Sequence, residues 1–171
     1  LTDQLFDVVY KNYKEKLERN AKAAFPVIKD VYETQGDKYE RIVVPFTDGT
    51  KELKVVTNLK EAYESEGKVL VTDFEKNITL AIIDDTWKDH LRQMDELKQS
   101  VQNATYEQKD PLLIYKFESF ELFNTMLDKV NKDVLSFLFK GKLPSQDANQ
   151  VSQAREQKRE KVQLSTAEYH S

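Results

Sequence analysis

Few residues in this chain are equipped for chemistry. His90 is one of two histidines, the other being His170, and it lies in "DDTWKDHLRQMD" near Asp84, Asp85 and Asp89. An imidazole with carboxylates can hold a metal or relay a proton when the spacing puts them on one face, at i and i+3 or i+4 of a helix. Asp89 and His90 are adjacent and diverge by about 100° on a helix. The spacing therefore favours a structural histidine packing the Trp87 region, with metal or catalytic chemistry around Trp87 and His90 as the lesser reading. Glu118 and Glu121 read as a solvated helix face before an acid–base pair. No serine stands in a nucleophile context, and with no cysteine there is neither disulfide nor thiolate metal site. The four glycines, Gly36, Gly49, Gly67 and Gly141, are far apart and form no phosphate-cradling loop. No catalytic residue and no metal ligand is assigned.

Composition narrows the classes further. Of 171 residues, 33% are charged, yet nine Phe and eight Tyr leave enough bulky surface for a packed core. The net charge of −4 is spread over interspersed signs, with no basic run of the kind that nucleic acid demands. No stretch approaches about 20 consecutive apolar residues, and no signal-peptide pattern opens the chain. Leu1 already stands inside a helical pattern, and the methionines are Met94 and Met126. A piece of a longer chain is the simpler expectation.

The elements follow from periodicity. Phe6, Tyr10, Tyr13, Leu17, Ala21 and Ala24 recur at helical spacing, predicting a helix over residues 2–24 that Phe25-Pro26 kinks or ends. A second short helix is expected over residues 26–35, stopped by Gly36. The period then becomes two: Ile42, Val44 and Phe46, then Asp48-Gly49, then Leu53 and Val55, predicting a β-hairpin at about 39–57. Pro45 places its strand at an edge or its amide outward. The hairpin needs a partner, either the run Val69-Leu70-Val71 or a helix. Asn58 and Glu61 have capping-box spacing for a short helix ending at Gly67, and Thr72 with Glu75 repeat that spacing at the start of a long one. Leu80, Ile83, Trp87, Leu91, Met94, Leu97 and Val101 supply its apolar stripe, to about residue 103.

Asp110-Pro111 is a strong start signal, because proline at the first helical position gives up only an amide without a partner. Leu113, Phe117, Phe120, Phe123, Leu127, Val130, Val134 and Phe137 carry a second stripe, closed by Lys140 and Gly141. The Phe-rich stripe reads as core, with a partner groove as the alternative. Two amphipathic helices with a short polar joint predict an antiparallel hairpin. The joint, "TYEQKD", holds Tyr106, Gln108 and Lys109; a tyrosine there either folds back or is presented at the tip. The fold expected is mainly α with a small β element. Three parts are read: residues 1–72 with the β-hairpin, residues 73–140 as the two-helix hairpin, and residues 141–171 as a polar tail or linker too poor in apolar residues to order itself.

These residues closely resemble the C-terminal part of the SecA family, bacterial preprotein translocase motors. The family pattern I/V-D-x-x-W-x-x-H-L-x-x-M-D-x-L is met by Ile83, Asp84, Trp87, His90, Leu91, Met94, Asp95 and Leu97. Its continuation is met by Tyr106, Gln108, Asp110, Pro111, Tyr115, Glu118, Phe120, Phe123 and Met126. The resemblance implies a helical wing before about residue 73 and a scaffold with a two-helix finger after it. It implies that Tyr106, with Gln108 and Lys109, touches the translocating polypeptide near the mouth of the SecYEG channel. It also implies that ATP and magnesium belong to a motor elsewhere in the parent chain, with none in this part. Partners implied are SecYEG, unfolded preprotein, the motor domains and, as an open question, a second copy. The place implied is the cytoplasmic face of the bacterial membrane. Asn103-Ala104, Lys98 and Ile114 depart from the pattern, and the family's zinc-binding cysteines are missing. The hairpin insertion is not explained by the resemblance. The competing reading is a free-standing helical protein-interaction module.

Overall fold

The computed structural model describes residues 2–103 and 110–144. Four helices and one two-stranded antiparallel sheet follow in chain order: α1 (Thr2–Gln35), β1 (Arg41–Thr47), β2 (Glu52–Asn58), α2 (Leu59–Glu64), α3 (Lys68–Asn103) and α4 (Pro111–Lys140). The protein is mainly α with a small β element, as its periodicities predict.

Proline does not end the first helix. α1 runs unbroken through Pro26, although an interior proline costs about 3 kcal/mol through its lost bond and its ring clash. Residues on both sides are held by one core: Ala21 and Ala24 before the proline and Ile28 after it are buried. Phe25 and Tyr32 both stack on Tyr63 of α2, at 6.2 and 4.3 Å between ring centroids. Burying a side chain of this size contributes about 1.5–3 kcal/mol, so tertiary packing outweighs the local preference.

The β-hairpin is where the alternation puts it, with Ile42, Val44 and Phe46 opposite Thr57, Val55 and Leu53. Its connection is longer than the two-residue turn that Asp-Gly suggests. Asp48 instead accepts the amides of Thr50 and Lys51, both at 2.8 Å, and Gly49 alone takes positive φ, +94°. Those amides, Lys51's first, hold the Asp48 carboxyl below its ordinary range. Thr47 exchanges backbone bonds with Lys142, so its polar groups point away from β2. By the alternation of an antiparallel strand, Pro45 points the same way, and its missing amide costs the ladder nothing.

The partner that the hairpin needs is a helix. Val69-Leu70-Val71 is the first turn of α3, which begins at Lys68; Thr72 and Glu75 lie inside it and cap nothing. Ser65 serves there instead, its hydroxyl accepting the Val69 amide at 3.0 Å. Asn58 caps α2 as expected, taking the Glu61 amide at 3.0 Å. Gly67 is required twice over: φ is +86°, and a Cβ would meet the Ala21 carbonyl oxygen at 2.8 Å. One core joins every element: Ala24 and Ile28, Phe46, Val55, Leu59 and Ala62, then Leu70, Phe74, Ile78 and Phe137.

Candidate functional site

α3 has 36 residues, about 54 Å at 1.5 Å per residue, and α4 returns along it. Three contacts fix the antiparallel order. Phe74 lies 6.4 Å from Phe137 at the base, His90 meets Phe123 edge-on at 6.0 Å further out, and the Asp89 carboxylate reaches the Lys129 ammonium at 3.8 Å. Asp89 also holds Arg92 at 3.1 Å. Exposed pairs of this kind contribute at most about 1 kcal/mol, so ring packing does more to hold the helices together.

The seam is only in part the stripe that apolar spacing suggests: Leu97, Val101 and Phe137 of that stripe are buried, its other large side chains mostly are not. On α3 the buried line is Phe74, Ile78, Thr86, His90, Leu97 and Val101. Leu80, Ile83, Trp87 and Leu91, read as the inner stripe, are exposed, as are Leu113, Phe117, Phe120, Phe123 and Leu127 on α4. Two polar residues, Thr86 and His90, stand in the true line and conceal it from a count of apolar positions. Thr86 is admitted because its hydroxyl donates to the Ile82 carbonyl at 2.8 Å. Both helices thus keep a second apolar stripe facing outward.

His90 is only 6% exposed and lies 5.4 Å from the Trp87 ring. This is the packing role foreseen for it, with Trp87 at the rim and 44% exposed. Its Nδ1 has no hydrogen-bond partner among the described residues. Among those residues, too, no three His, Asp or Glu side chains gather in a way that would hold a metal. Glu118 and Glu121 are exposed. Asp110 and Pro111 open α4 as predicted, the Asp110 carboxylate accepting the Leu112 amide at 3.0 Å. Tyr106, Gln108 and Lys109 lie outside the described residues, in the connection between Asn103 and the Asp110 cap. The polar tail from residue 145 onward also lies outside them.

Spacing alone did not reveal a cluster at the base of the hairpin. From α1, the Tyr13 hydroxyl donates to Glu75 Oε1 at 2.9 Å, the Lys16 ammonium donates to the Leu138 carbonyl, and Asn20 Nδ2 donates to the Gly141 carbonyl at 3.3 Å. Tyr13 also packs on Phe139 at 4.9 Å, and Lys16 lies over the Phe74 ring at 5.2 Å. Burial, reinforced by the bond to Glu75 and its charge, pushes the Tyr13 phenol well above its ordinary value. Burial, with Arg19 as a second influence, pulls Lys16 down to about 8. The i, i+3, i+7 spacing of the three was visible, but their targets lie 62 to 122 residues away.

A family model described as the SecA Wing and Scaffold domain matches residues 2–142. The protein translocase subunit SecA of Christiangramia forsetii is 64% identical over 164 residues, covering 95% of this chain and 15% of that protein. The SecA subunit of Flavobacterium psychrophilum is 64% identical over 149 residues, covering 87% of the chain and 13% of the relative. That of Bacteroides fragilis is 53% identical over 153 residues, covering 90% and 14%. The chain thus spans about one-seventh of the length of the curated relatives it matches. No solved structure matches it. The match takes in α1, the β-hairpin and both long helices, so the chain belongs to the SecA wing and scaffold family.

Proposed function

We propose that this chain is the wing and two-helix finger of a SecA-type protein translocase, touching the polypeptide in transit and the SecYEG channel. The hydrolysis of ATP with magnesium is supplied by a motor elsewhere in the parent chain. The observation that supports this most is the family match over the antiparallel α3–α4 pair, whose connecting residues contain Tyr106 in "YEQKDP". An aromatic ring with a polar end packs against side chains and backbone of many kinds, which suits a surface that must grip unrelated sequences. Gln108 and Lys109 add polar contacts of the same indifferent kind.

The outward stripes fit the same reading. Phe117 and Phe120 are 66% and 64% exposed, and large exposed apolar area marks a place where protein meets protein. In the parent these faces carry the motor domains, while the finger works as a mechanical element without hydrolytic activity of its own. No helix among the described residues is long and apolar enough to cross a membrane. The test is Tyr106→Ala in the full-length protein. Translocation is expected to slow several-fold with basal ATPase largely intact; wild-type transport refutes the tip role.

A further inference from the structure

Three elements converge on the last turn of α4. Phe137 packs against Phe74 of α3, Thr47 of β1 bridges to Lys142, and α1 supplies three donors, Lys16 and Asn20 to this end of α4 and Tyr13 to Glu75 of α3 beside it. Two of those donors end on backbone carbonyls of residues 138 and 141, where a helix terminus leaves its acceptors without partners. A cation is favoured at that end of the helix dipole, so Lys16 is well aimed. It is nevertheless half-buried against the Phe74 ring, and partial withdrawal of an ammonium from water opposes the contact. Attraction and desolvation are therefore set against each other at one side chain.

The first ten residues of α1 behave differently from this stretch. Leu5, Phe6, Val8, Val9 and Tyr10 are exposed, and the first anchorage met along the helix is Tyr13. The wing helix thus first meets the base of the finger through Tyr13, packed on Phe139, and Lys16, over the Phe74 ring, with Leu17 packed against the core between Lys16 and Asn20.

We infer that Tyr13, Lys16 and Asn20 form a releasable clasp through which the position of the wing helix sets the position of the finger. The inference takes from the proposed function only that α3 and α4 act as a finger. The groups facing Lys16 define how the clasp responds to pH. Arg19 is the charge that bears on it from α1, the Leu138 carbonyl faces it from α4, and the Phe74 ring faces it from α3. Removing the ammonium's charge relieves its desolvation while the amine still donates, so the clasp tightens in mild alkali.

The test is a distance measurement in the full-length protein. Spin labels replace the exposed Lys11 on α1 and Glu118 on α4, and pulsed electron resonance reads the separation at pH 7 and pH 9.5. The wild-type sequence should give one distribution, narrower at pH 9.5. Lys16→Met, which keeps the apolar stem over Phe74 but removes the donor, should broaden it at both pH values, and Tyr13→Phe should broaden it as well. Loss of one net hydrogen bond corresponds to about a five-fold rise in the released population. Distributions unchanged in both variants and insensitive to pH overturn the clasp. If Lys16→Met fails to fold, Tyr13→Phe, which removes a single oxygen, decides alone. Because the readout is a distance, its failure is distinguishable from failure of the tip role, which transport reports.

Discussion

Thr47 and Lys142 exchange both of their backbone hydrogen bonds, at 2.8 and 2.9 Å, and so join the tip of the β-hairpin to the residues that follow α4. Continuing that antiparallel register sets Pro45 opposite Pro144, where a bonded pair would need two amides that proline lacks. The bridge is therefore confined to one pair. Lys142→Pro should lower stability by about 1 kcal/mol through the lost donor, whereas Lys142→Ala, which spares the backbone, should be close to neutral. Urea titration of the two variants separates the outcomes.

The outward stripe and the core should respond oppositely to truncation. Phe137→Ala removes a ring that is 2% exposed and should cost about 3–5 kcal/mol. Phe117→Ala removes one that stands in solvent and should change the stability of the chain by less than about 0.5 kcal/mol. Comparable losses at the two positions would mean that Phe117 belongs to the seam.

What the sequence made legible was local. Asn58, Asp110 and the alternation from Ile42 to Phe46 act within a few residues, and each fell where expected. Pro26 misled because the burial of Ile28 that outweighs it is tertiary. The seam misled because Thr86 and His90 carry polar atoms into a line that a hydrophobicity count passes over, turning the inferred face toward Trp87 and Leu91. The clasp was hidden for a related reason: two of its acceptors are backbone carbonyls, which no residue type announces. Tyr106 stands out by its place in the polar joint and, with Gln108 and Lys109, takes its role from family resemblance; their arrangement lies outside the described residues.

Thr57 offers a test of buried polarity. Its hydroxyl is sealed in the core without a hydrogen-bond partner among the described residues, a cost of about 1–3 kcal/mol for the group left unsatisfied. Thr57→Val keeps the branched shape preferred in a strand and should raise the thermal midpoint. A fall would reveal a partner for that hydroxyl.

The pH dependence has a definite sign. The Lys16 folded value of about 8 lies below its ordinary 10.5, so the unfolded chain binds more protons across that window and stability rises with pH there. The contribution is fully present above about 10.5 and is lost as pH falls through 8. Tyr13 is shifted upward, so its contribution is fully present below its ordinary value near 10 and is lost only as pH rises through its folded value. Between pH 8 and 10, denaturant midpoints should therefore climb in the wild-type chain more than in Lys16→Met. Equal slopes would contradict the assignment to Lys16.

The finger's contact with a moving polypeptide is tested most directly by a photo-crosslinker in place of Tyr106, in the full-length protein stalled part-way through translocation. The account predicts adducts with the preprotein at that position and few from the same probe in place of Glu61 on α2. Adducts as frequent at position 61 as at 106, or none at 106 during active transport, would contradict it.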